Sequence, residues 1–148
     1  MDESAYRSAR GEINRLPCIF EKTLLARNAV CGLAQHQAIA ERVTVACSSP
    51  VARAHCASLL GLLRENASFA LKNRPAAGAL PHAQAMKIQS GGLHGLMQAL
   101  DPDAPAVDIQ RLVRTAIERP GGLSGLPWPV IVRAIGLWQG RRRGTRKP

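Results

Sequence analysis

From Pro50 to about Lys72 the apolar residues recur three and four positions apart: Ala52, Cys56, Leu59, Leu60, Leu63, Ala67 and Ala70. That spacing traces one face of a 3.6-residue helix and does not match the alternation of a strand. Arg53, Arg64 and Glu65 fall off the stripe. The helix start is also marked, because Ser49 can cap free backbone N–H groups and Pro50 suits the first helical position. Strands draw on aromatic and β-branched residues. Here aromatics are only 3% of the chain, which is rich in Ala, Leu and Arg. An all-β fold is therefore disfavoured. The 148 residues suffice for one domain, and 46% apolar content supplies a core.

Other stretches repeat the helical signal. Phe20, Leu24, Val30, Cys31 and Ala34 share one side of a helical wheel, with Glu21, Asn28 and Gln35 opposite. The segment from His36 to Ala46 continues that helix or kinks away from it. Residues 73–81, NRPAAGALP, read as a loop. A helix from about His82 to Leu100 follows, with Met86, Leu93, Leu96, Met97 and Leu100 apolar. Gly91, Gly92 and Gly95 either break it or admit a neighbour at close range. After a turn at DPDAP, 101–105, the stripe Ile109, Leu112, Val113, Ala116 and Ile117 ends near Pro120. A last helix runs from about Pro127 to Trp138, with Ile131, Ala134, Ile135 and Trp138 as its seam.

The expectation is an all-α fold, a compact single-domain bundle of four to six helices over residues 17–140. A flexible polar arm, 1–16, precedes it and a disordered basic tail, 141–148, follows. The expected core includes Phe20, Leu24, Val30, Leu59, Leu63, Leu96, Met97, Leu112, Val113, Ile131 and Ile135. Gly91 to Leu96 and Gly121 to Leu126 agree in five of six places. With poorly matching flanks, this reads as reuse of a local turn, since a solenoid needs about three repeats.

The cysteines carry the first candidate site. Cys18, Cys31, Cys47 and Cys56 lie within 39 of the 148 positions, spaced C-x12-C-x15-C-x8-C. Four thiolates match the ligand count of a cubane iron–sulfur cluster or a tetrahedral zinc. The CxxC pairs of ribbons and fingers are missing, and irregular spacing across helices and loops favours an iron–sulfur cluster, 4Fe-4S, with zinc as the alternative. Arg15, Lys22, Arg27 and Arg53 could offset the charge of such a cluster, and His36 or His55 could replace a ligand. The competing reading is that the cysteines are small buried hydrophobes. No HExxH, GxSxG or phosphate-loop pattern and no paired carboxylates appear, so binding is expected rather than catalysis.

The tail is the second candidate. Arg141, Arg142, Arg143, Arg146 and Lys147 carry half of the net charge of +10. They would attract nucleic acid or an acidic protein surface, without base readout or stacking. The alternative function is thus a helical nucleic-acid-binding or partner-docking module. The chain has no run of 18 apolar residues, and its polar start is unlike a secretory signal. The composition reads as that of a cytosolic bacterial protein, where cysteines stay reduced or metal-bound.

Overall fold

A computed structural model describes residues 2–70 and 81–140. It departs from the expected all-α bundle: the fold is mostly helical but includes a two-stranded antiparallel sheet. Helix α1 spans Glu3–Ile13 and the short α2 spans Glu21–Leu25. Strands β1, Ala34–Ile39, and β2, Arg42–Cys47, pair in register from Ala34 against Cys47 to Ile39 against Arg42. Helix α3 covers Pro50–Ala70. Helix α4, His82–Met86, continues through a π turn, Lys87–Gly91, into α5, Gly92–Leu100. Helix α6 is Ile109–Glu118, and a 3-10 turn at Gly122–Gly125 leads to α7, Trp128–Leu137.

The expected helix over 36–46 is instead the β-hairpin. The stretch Arg42 to Cys47 reads RVTVAC, and its β-branched Val43, Thr44 and Val45 favour extended backbone. Thr44 and Val45 are both fully buried, so the strand is covered on either side. The reversal requires Ala40 at φ 55, a left-handed conformation that a non-glycine residue adopts at a cost. The helix expected from Ile19 to Ala34 also shortens to α2, since the chain turns at Arg27 with φ 63.

The segment read as a frayed arm contains α1, capped by Asp2, whose side chain accepts from the Ala5 N–H at 2.7 Å. Arg42 secures α1 to the hairpin through Glu3, at 2.9 Å, and lies over the Tyr6 ring. The Glu3 carboxyl is held below its usual range, chiefly by its hydrogen bond from Arg42. Asn14, just past α1, is buried and donates to Thr44 Oγ1 and the Val45 carbonyl.

The core joins Phe20 and Leu24, Val45, Leu59 and Leu63 of α3, Leu93 and Leu96 of α5, Leu112 of α6, and Ile131 and Ile135 of α7. Of the expected core, Met97 is only half-buried and packed against it, and Val30 lies outside it. Val30 is 51% exposed, and its backbone is bridged to Asp108. Helices α5 and α7 cross where glycine removes the side chain. A Cβ on Gly95 would stand 2.7 Å from the Ala134 Cβ, and one on Gly91 2.9 Å from the Ile135 Cα. The repeated hexapeptide adopts two structures. Residues 91–96 are helical, whereas Gly121 and Gly122 have positive φ and enter the 3-10 turn.

Candidate functional site

Four separate pieces of chain deliver the cysteines to one place. Leu16 to Cys18 lies alongside β2: Pro17 bridges Ala46, the Cys18 N–H donates to the Val45 carbonyl at 2.9 Å, and the Cys47 N–H donates to the Leu16 carbonyl at 2.7 Å. Cys47 is the last residue of β2. Cys31 follows Val30, whose N–H donates to the Val107 carbonyl and whose carbonyl accepts from the Ile109 N–H. This pins the Cys31 segment to the start of α6. Cys56 lies on α3, whose first turn is capped by Ser49 Oγ accepting from the Ala52 N–H at 3.1 Å.

All four cysteines are half-buried and unpaired, and all four line one cavity of about 440 Å³. Its other walls are Ile19, Leu33 and Ala34; Ser49, Val51, Ala52, Arg53 and His55 around the start of α3; and Ile109, Gln110, Val113, Arg114, Ile117 and Glu118 of α6. Such a volume, mostly apolar with a few polar groups, lies within the range of ligand sites.

The electrostatics disfavour bare thiolates. Burial pushes the Cys56 thiol up to about 12 and the Cys18 thiol up to about 11, and the neighbouring cysteines add to both shifts. A backbone hydrogen bond from Phe20 to Cys18 opposes the rise only in part. Near neutral pH both thiols are protonated, so neither behaves as an activated nucleophile. The Cys47 thiol donates to the Ser49 carbonyl at 3.3 Å. A bound cation reverses this balance, because a coordinating thiol is deprotonated outright.

Of the charge-offsetting residues expected from sequence, Arg53 alone lines the cavity. Lys22 instead lies 3.3 Å from His82 Nδ1. His55 is on the cavity wall and His36 is on β1, away from it. The contribution of α6 escaped sequence reasoning. Gln110, Arg114 and Glu118 recur four apart, a row that reads equally well as a solvated face. Among the described residues, no group of three or more His, Cys, Asp or Glu side chains is placed to hold a metal ion. The tail residues Arg141, Arg142, Arg143, Arg146 and Lys147 lie outside the described residues. No helix among the described residues is long and apolar enough to cross a membrane.

Comparison with protein-family models, curated proteins and solved structures yields no match to this chain. The functional reading therefore rests on the cavity itself.

Proposed function

We propose that the chain binds an iron–sulfur cluster of the 4Fe-4S type through Cys18, Cys31, Cys47 and Cys56, in a reducing compartment. The observation that carries this reading is the convergence of all four cysteines, from four segments, on one cavity. Cysteines that served only as small hydrophobes need not all face one cavity.

A further feature supports it. Arg114 and Glu118, four apart on α6, offset one another in charge on the cavity wall, whereas Arg53 stands there without an ion-pair partner among the described residues. An unpaired cation beside four thiols suits an occupant of negative charge, as a thiolate-ligated cluster is.

When bound, such a group supplies one-electron transfer, or serves as a sensor or a cargo for cluster assembly. The protein's part is to hold it, shield it with Leu33, Val113 and Ile117, and set its charge environment. Anaerobic reconstitution with ferrous iron and sulfide tests the reading. A brown protein with broad absorbance near ~400 nm and about four irons per chain is expected, with iron lost when Cys18, Cys31, Cys47 or Cys56 is replaced by Ala. A colourless protein carrying one zinc, or one that folds and takes up no metal, overturns it.

A further inference from the structure

On the reading that this cavity takes an iron–sulfur cluster, we propose that Arg53 is its positioning residue, tying the Cys18 segment to α3 and setting a cation against the cysteine sulfurs.

The Pro17–Cys18 peptide is held at both ends. Its N–H donates to the Val45 carbonyl at 2.9 Å. Its carbonyl accepts from Arg53 Nε at 2.7 Å. A peptide unit is planar and stiff, so two opposed hydrogen bonds fix the direction in which the Cys18 side chain leaves the backbone. Arg53 and Cys56 stand three residues apart on α3 and therefore share a face. A closed path of hydrogen bonds and covalent chain results: from Cys56 along α3 to Arg53, across to Pro17 and Cys18, over to β2 and Cys47, and back into α3 through Ser49. Three of the four cysteines are set by this ring. The fourth, Cys31, is pinned separately by the Val30 bridge to Asp108.

Arginine is suited to this task where lysine is not. The guanidinium presents five N–H donors in a rigid fork. The Nε–H is spent on Pro17, and the terminal N–H groups have no protein acceptor among the described residues, although the side chain lines the cavity. They are available to sulfur. A neighbouring positive charge and hydrogen bonds to the sulfurs both favour the reduced form of a cluster. Arg114 lines the same cavity from α6 but is exposed and makes no such tether, which makes it the natural control.

The experiment compares reconstituted wild-type chain with Arg53→Gln, Arg53→Lys and Arg114→Gln. One readout is the decay of the ~400 nm absorbance in excess EDTA. Loss of a residue supporting a metal's ligands costs about 10- to 100-fold in affinity. Arg53→Gln and Arg53→Lys are thus expected to bleach about tenfold faster than wild type, and Arg114→Gln at the wild-type rate. The other readout is the one-electron midpoint potential, poised with dithionite and mediators. It is expected to fall in Arg53→Gln and hold in Arg53→Lys, which keeps the charge. Wild-type retention in both Arg53 variants, or equal acceleration in Arg114→Gln, overturns the inference. If the wild type binds no iron, the parent reading has failed instead, and the tether is then read in the metal-free chain by hydrogen exchange at the Cys18 amide. Faster exchange in Arg53→Gln than in Arg114→Gln sustains the positioning role, and equal exchange overturns it.

Discussion

Glu21 shows how much one side chain can organise in this fold. On a helical wheel it belongs to a solvated face. In the structure its carboxylate accepts from Arg10 Nη2 at 2.8 Å, from Thr44 Oγ1 at 2.7 Å and from the Val45 N–H at 2.8 Å. It thereby joins α1, α2 and β2 beside the strand that carries Cys47. Glu21→Gln replaces an acceptor oxygen with a donor and removes the charge. Hydrogen bonds to charged groups contribute about 1.5–3 kcal/mol each, and the site is partly exposed, so a loss of about 2 kcal/mol is expected in urea unfolding. A midpoint equal to wild type would refute this. Gly95 is the second residue with a sharp expectation. Its missing side chain lets α7 approach, and Gly95→Ala places a Cβ against Ala134 and Ile131 backbone. Overpacking costs about 1–3 kcal/mol, which outweighs the alanine gain in helix propensity of about 1 kcal/mol. A net loss of stability is expected on thermal melting, and a raised melting temperature would contradict the close crossing.

Among the elements, the hairpin matters most to the site, because β2 lies between the Cys18 segment and α3. Its turn is strained at Ala40, where a left-handed conformation costs an L-residue about 1–2 kcal/mol. Ala40→Gly relieves that strain but gives the unfolded chain more freedom, at about 0.4–1 kcal/mol. A small net gain, up to about 1 kcal/mol, is expected in denaturant titration, whereas a clear loss would show the turn to be relaxed. The π turn at Lys87–Gly91 has its own buried polar network. Ser90 Oγ lies 2.6 Å from Thr23 Oγ1 and accepts from Asn28 Nδ2 at 3.1 Å, which fastens α2 to the long α4–α5 run. Asn28, like Glu21, looked solvated by periodicity alone, since a wheel describes one helix and not the element packed against it.

At the scale of the molecule, the cysteine cavity is where separately folded pieces meet: the Cys18 edge and β2, the Val30 bridge, α3 and α6. A ligand that joins four such pieces stabilises the native state over the unfolded one, because binding free energy becomes folding free energy. The iron-loaded chain is therefore expected to melt several degrees above the metal-free chain, as about 1 kcal/mol corresponds to 2–8 °C for domains of this general size. Removing the metal with EDTA under oxidising conditions should return the transition to the metal-free value. Coincident transitions for the two forms would mean that any bound iron sits outside the folded framework.

The long helices are legible in the sequence. The stripe of α3, the run from His82 to Leu100, the seam of α6 and that of α7 are all local patterns, and each helix buries the face its periodicity marks. It also showed the crowding of four cysteines and the glycines at which helices could meet. It did not separate helix from strand over 36–46, where the Ala-rich, short and two-sided apolar run of the hairpin fits both periods. Nor did it place α1, whose residues are polar and whose attachment runs through Arg10, Asn14 and Arg42 to partners 30 or more positions away. The tertiary structure alone decided that the four cysteines share a wall. Their convergence depends on the pairing of Pro17 with Ala46 and of Val30 with Asp108, contacts between residues 29 and 78 positions apart that involve backbone groups. Backbone groups are the same at every residue, so no side-chain pattern announces where such pairings form.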